Sequence, residues 1–371
     1  MTDPTDTAPP AGTAPPDDQA QKADQAQKAD QAQKGGKEQR RIGLWGATQS
    51  GKSTFLSALY IAVNRSPDND LRIYGADPGS TQFLVRNTTL LNSKHNFPAA
   101  TLAEEKLAWI MNMRVPSRSR MRFIRPGGGT VPFNFRIDLQ DAPGRNFASM
   151  PEEEGGPQNR LSLPGAPPED GGPADQAGAT ASYLADCHGV LLLIDPLRER
   201  DTGDAHEYFH GTLLRMAEEA MPKVPSGERL GHYVAVCVTK FDAPAVFTFA
   251  MDNDYRFHIT KDPYMFPRVS DSDAQRFLQS LCRGYSKSDI ELVTSALGRY
   301  FYPERIRYFI TSAVGFYVDE EGQFSEDDYQ NVVPVNDKGN AEKTYKIRGP
   351  VHPINVVEPL QWLGESVAAR R

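Results

Sequence analysis

The chain has 371 residues, with 41 Lys+Arg against 48 Asp+Glu for a net charge of −7, and only three cysteines. That balance disfavours a strongly basic nucleic-acid binder, although a short basic patch is compatible with it. Cys187, Cys237 and Cys282 are too few and too far apart for a disulfide framework or a zinc pattern. No apolar run approaches the ~18 residues of a membrane-crossing helix, and MTDPTDTAPP lacks the charge and apolar stretch of a leader. A cytoplasmic protein with no integral membrane segment is expected.

Taken in chain order, residues 1–39 hold almost no large apolar side chain and repeat a six-residue unit, Asp18 to Ala23 and Asp24 to Ala29. Such a stretch cannot bury enough surface to offset chain entropy and reads as a disordered tail. The folded part then spans 40–371. Arg41 to Trp45 reads as a short strand, followed by a helix over Lys52 to Asn64 whose Phe55, Leu56, Leu59, Tyr60 and Val63 share one face. A second helix is expected over Thr81 to Leu91. Leu107 to Val115, Met121 to Arg125 and Val131 to Leu139 read as strands, the last two joined as a hairpin by Pro126-Gly127-Gly128-Gly129. A long mobile loop is expected over 145–180, rich in Pro, Gly and acid.

Gly189 to Ile194 (GVLLLI) and Tyr233 to Val238 (YVAVCV) are continuous apolar runs, the mark of strands buried on both faces. Helices are expected at Ala205 to Met221, Ile290 to Tyr300 and Ile354 to Ala369, and a strand at Arg307 to Ile310. Insertions at about 243–285 and 314–352 remain without a reading. The alternation predicts a three-layer α/β fold with a mostly parallel central sheet, one early antiparallel hairpin and long loop insertions.

Gly46-Ala47-Thr48-Gln49-Ser50-Gly51-Lys52-Ser53 matches G-x-x-x-x-G-K-[ST], the phosphate loop. Its glycines let backbone N–H groups face phosphate oxygens, and it opens a helix whose N-terminus favours anions. Lys52 would reach the β- and γ-phosphates and the Ser53 hydroxyl would bind Mg²⁺, with Thr54 next in line. Asp141-Ala142-Pro143-Gly144 follows a strand, where Asp141 would serve Mg²⁺ and the Gly144 amide the γ-phosphate. Thr239-Lys240-Phe241-Asp242 closes the run Tyr233 to Val238. An Asp242 carboxylate can accept from guanine N1–H and its 2-amino group, neither of which adenine offers, and the Lys240 stem can lie along the base plane. Thr311-Ser312-Ala313 would add contacts near the guanine O6. Asp195, after GVLLLI, either caps the next segment or approaches the nucleotide pocket.

In this order the motifs resemble those of the P-loop GTPases of the translation-factor-like class. LWGATQSGKSTFLSALY together with PINVVEPLQWL is similar to the bacterial double-GTPase family. The resemblance implies binding of GTP or GDP with Mg²⁺, hydrolysis of GTP, and a protein partner: a second GTPase, a second copy or an effector. It also implies a first-switch threonine on Mg²⁺. Thr88 and Thr89 fall in the expected helix, so Thr101 takes that role. Where many such enzymes carry a water-orienting glutamine after D-x-x-G, this chain has Arg145, which cannot accept a hydrogen bond from water. Hydrolysis is therefore expected to be slow or partner-dependent, and a nucleotide-locked scaffold is the alternative.

Overall fold

In chain order, β1 (Arg40–Gly46) leads into α1 (Lys52–Arg65), β2 (Arg72–Gly75), α2 (Pro78–Asn92), β3 (Glu105–Pro116), β4 (Thr130–Asp141) and β5 (Gly189–Ile194). Next come α3 (Pro196–Asp201), α4 (Ala205–Ala220), β6 (Tyr233–Val238), α5 (Pro244–Asp252), β7 (Arg256–His258), β8 (Pro267–Val269), α6 (Ala274–Arg283) and α7 (Ile290–Tyr300). The last elements are β9 (Ile306–Ile310), β10 (Val332–Val335), β11 (Thr344–Ile347) and α8 (Glu358–Ala369). The computed structural model describes residues 39–47, 49–66, 70–99, 105–116, 129–141, 180–259, 262–335 and 344–369. The tail and almost all of the expected 145–180 loop lie outside these.

Seven strands make one sheet in the order β2-β3-β4-β1-β5-β6-β9. β4, β1, β5, β6 and β9 run parallel, whereas β3 is antiparallel to β4 and β2 antiparallel to β3. Every residue of β5 is buried. Its Val190, Leu192 and Ile194 join a core with Phe209 and Leu213 of α4, Val246 of α5, Phe277 of α6 and Val293 of α7. Leu191 and Leu193 point the other way, into a core with Phe55, Leu56 and Leu59 of α1, Leu84 of α2 and Leu360 and Leu363 of α8. Helices therefore cover both faces, and the three layers follow directly from strands with no polar side. Each fully buried aliphatic side chain contributes about 1.5–3 kcal/mol to this arrangement.

Two expectations change, and one strand was not expected. β4 is paired with β3 along one edge and β1 along the other. The hairpin partner is therefore β3, which pairs with β4 along its whole length; Met121 to Arg125 lie outside the described residues. β2 went unread because it is four residues long with one buried side chain, Ile73. The final helix begins at Glu358, not Ile354, because Ile354 exchanges backbone hydrogen bonds with Ser312 (3.0 and 2.8 Å) as an isolated bridge. The inserted regions carry the small antiparallel pairs β7–β8 and β10–β11.

α8 seats on its core through a glycine. A Cβ at Gly364 would stand 2.3 Å from Met113 Sδ and 2.8 Å from the Phe135 ring. Gly364→Val is expected to lower stability by about 2 kcal/mol through overpacking, read as a reduced urea midpoint; an unchanged midpoint would show that α8 does not dock this closely.

Candidate functional site

β1 lies between β4 and β5 in the sheet, and the chain continues to opposite sides of it. That is a topological switch point, and ligands in open α/β sheets bind beyond the carboxyl ends of the strands there. Gly46 ends β1, Asp141 ends β4, Thr239 follows β6 and Thr311 follows β9. The motifs scattered along the sequence thus meet at one edge of the sheet.

The bend after β1 is shaped by close packing and positive φ. A Cβ at Gly46 would sit 2.6 Å from Ser50 Oγ and 3.0 Å from the Leu193 carbonyl. Gln49 (φ 63) and Gly51 (φ 92) both adopt left-handed backbone, and Ser50 N–H donates back to the Ala47 carbonyl at 3.1 Å. α1 then starts with no side-chain cap and no acid in its first turn, leaving its leading N–H groups to an anion. A Cβ at Gly51 would meet nothing within 4 Å, so the approach there is open. Lys52 is buried, and its Nζ donates to the carbonyls of Gly46 (2.9 Å) and Ala47 (3.1 Å). Tyr208 of α4 also donates to the Gly46 carbonyl, at 2.9 Å. No sequence signal pointed to Tyr208, which lies 162 residues away from its acceptor.

The second loop is tied to the first. Thr239 Oγ1 stands 3.3 Å from the Ser50 carbonyl and 3.2 Å from that of Ile194, with its own N–H on Ile194 at 2.9 Å. Lys240 has φ 60, and its Nζ donates to Asp195 Oδ2 at 2.5 Å. Asp195 Oδ1 accepts from Leu197 N–H and caps α3, the first of the two sequence readings of Asp195. Asp242 is only 9% exposed. Its Oδ1 accepts from the Ser312 hydroxyl (2.5 Å), which in turn accepts from Gly315 N–H (2.7 Å). Burial pushes the Asp242 carboxyl above the ordinary 3.8, with the Ser312 hydrogen bond and the Lys240 charge opposing it. Below the loop, the rings of Phe241, Phe247 and Phe316 pack within 4.8–6.1 Å of one another.

The fold thus brings together Gly46, Ala47, Gln49, Ser50, Gly51, Lys52, Ser53 and Thr54 with Thr239, Lys240, Asp242, Ser312 and Ala313. Asp141 closes β4, but its side chain lies outside the described residues, as do Thr48, Thr101, Gly144 and Arg145. Thr88 and Thr89 lie on α2, as expected. Among the described residues no group of three or more His, Cys, Asp or Glu can hold a metal, and no helix is long and apolar enough to cross a membrane.

By sequence, the chain matches no family model and no curated protein. Among solved structures it is similar to the signal recognition particle receptor SRb-GTP/SRX complex from Chaetomium thermophilum, at 12% identity and a TM-score of 0.33, over 76% of this chain and 93% of that one. The Arl6 BBS3 small GTPase from Trypanosoma brucei with bound GppNp gives 10% identity and 0.34, over 90% and 100%. The GTPase-like domain of Ski7 from S. cerevisiae, bound to GTP, gives 12% and 0.34, over 89% of this chain and 50% of that one. Overlaps this loose leave the functional reading to the chain's own residues.

The buried carboxyl has a measurable consequence. A folded-state pKa above the unfolded one means that ionised Asp242 opposes folding at neutral pH, and that this penalty fades as pH falls through the raised value toward 3.8. Asp242→Asn is therefore expected to stabilise the nucleotide-free protein at pH 7, by a margin that shrinks on acidification. Urea unfolding at pH 7, 6, 5 and 4 reads that margin, and one that grows toward acid would contradict the assignment.

Proposed function

We propose that the chain is a Mg²⁺-dependent GTP-binding switch that hydrolyses GTP to GDP. The observation that carries this reading is the Thr239 hydroxyl on the Ser50 carbonyl (3.3 Å), which couples a phosphate-type loop to a loop bearing a buried carboxylate. Asp242, steered by Ser312, would accept from guanine N1–H and its 2-amino group. Adenine would leave the carboxylate facing an acceptor, and a site built on such polar pairs rejects the wrong partner by about 10⁴-fold or more.

At the phosphates, Lys52 Nζ would turn from the Gly46 and Ala47 carbonyls to the β- and γ-oxygens, while Tyr208 keeps the Gly46 carbonyl paired. The leading amides of α1 and the Gly144 amide would hold the γ-phosphate for in-line attack by water. The residues fit a hard cation: Ser53 stands half-buried in the first turn of α1 beside uncapped amides, and Thr101 and Asp141, oxygen donors by residue type, would join its hydroxyl around the ion. When bound, Mg²⁺ neutralises charge on the phosphate oxygens. Arg145 cannot orient the water, so turnover would depend on a partner. The likeness of PINVVEPLQWL and the phosphate-loop segment to the double-GTPase family supports a second GTPase, or a second copy, in a bacterial conflict or signalling system.

Calorimetry with Mg²⁺ is expected to show heat with GDP and GTP and none with ATP. Lys52→Ala should weaken GTP by roughly 10–100-fold through loss of charged hydrogen bonds. Asp242→Asn should move the preference to xanthosine triphosphate, whose C2 carbonyl accepts from the new amide. Equal heats with ATP and GTP, or none with any nucleotide, would overturn the reading. Single-turnover hydrolysis at rising protein concentration tests the partner requirement, and binding without turnover at any concentration would leave the scaffold alternative.

A further inference from the structure

Asp195 stands at the end of β5, beside β6 in the sheet, and its side chain is 3% exposed. Its two oxygens serve different elements. Oδ1 accepts from Leu197 N–H at 2.9 Å and caps α3, while Oδ2 accepts from Lys240 Nζ at 2.5 Å, across 45 residues of sequence. Lys240 enters this pair from a left-handed backbone position (φ 60), a conformation in which a non-glycine residue is uncommon. Two positions on, Asp242 is held by Ser312 toward the end of β9. The neighbouring loop side chains are thus drawn to different strands, one on each side of β6.

The consequence lies in the lysine stem. Four methylenes fixed at the backbone by Lys240 and at the ammonium by Asp195 form an apolar bar with little freedom left. A free lysine would surrender that rotamer freedom only when a ring arrived, and the loss would subtract from binding. Pairing with a nearly buried carboxylate settles the stem beforehand, which is preorganisation. The Lys240 side chain is 39% exposed, so the bar borders the open side of the loop, where a base can reach it.

We infer that Asp195 is a positioning residue for the purine, acting through Lys240 to hold the lysine stem against the face of the base. This rests on the guanine-nucleotide reading of the site. It makes the contribution of Asp195 independent of Asp242, because a stacking face serves any purine while the Asp242 carboxylate chooses among them.

Asp195→Asn separates this role from helix capping, since asparagine keeps an oxygen for Leu197 N–H and caps as well as aspartate. GDP and GTP affinities are expected to fall together by about tenfold, the rotamer freedom that an unpaired stem would surrender only on binding. Inorganic tripolyphosphate, which has no base to stack, should bind as to the unmodified protein. In a Lys240→Ala background the same Asp195→Asn change should have no further effect on GDP. In an Asp242→Asn background it should weaken xanthosine diphosphate by the same factor. Unchanged GDP affinity in Asp195→Asn, an equal loss for tripolyphosphate, or a full tenfold loss on top of Lys240→Ala would each overturn the inference. Unmodified protein that binds tripolyphosphate but neither GDP nor GTP would instead overturn the nucleotide reading itself, and the inference with it.

Discussion

A single hydroxyl joins the two halves of the site. Thr239 Oγ1 lies between the Ser50 and Ile194 carbonyls, so the loop after β1, the end of β5 and the loop after β6 share one small polar node. It has one proton for two acceptors, and the parallel strands beneath it supply the rigidity. β1, β5 and β6 are adjacent and buried on both faces, so their carboxyl ends cannot drift relative to one another without opening two cores. Distances between the phosphate-type loop and the Asp242 carboxylate are therefore a property of the sheet.

The same edge carries groups that are expensive to keep. Asp242 is ionisable and buried, Lys52 is a buried cation, and Gln49 and Lys240 occupy left-handed backbone that glycine would adopt more readily. Each opposes folding or is close to neutral for it in the absence of a ligand. Their concentration at one end of an otherwise apolar, well-paired sheet is the pattern expected of a site that recovers its cost on binding.

The C-terminal segment braces this edge from behind. Ile354 exchanges backbone hydrogen bonds with Ser312, the residue that orients Asp242. Gly315 (φ 74) passes so near His352 that a Cβ would stand 1.8 Å from its carbonyl oxygen. Beyond it, α8 packs through Gly364 on Met113 and Phe135, side chains of β3 and β4. One stretch of chain thus supports both the base loop and the antiparallel strands. The ordering of Ser312 depends on backbone contacts that no local motif encodes.

Much of the architecture was legible in the residues because burial writes itself into composition. GVLLLI and YVAVCV are apolar throughout because both their faces are covered, and the G-x-x-x-x-G-K-S run is legible because backbone curvature and phosphate chemistry permit few residue types. The partner of β4 was not legible, since strand pairing is a choice between distant segments that share the same local preference. Nor was the start of α8, where a backbone bridge to Ser312 outweighed helical propensity. Tyr208 on Gly46 and Lys240 on Asp195 bridge 162 and 45 residues. By itself the sequence marked the longer buried strands, most of the long helices and the loop motifs, and left the short strands and the inserted regions unread. Only the tertiary structure decided which side chains meet, because contact across the sheet edge depends on how separate strands align in space, and no local pattern records that.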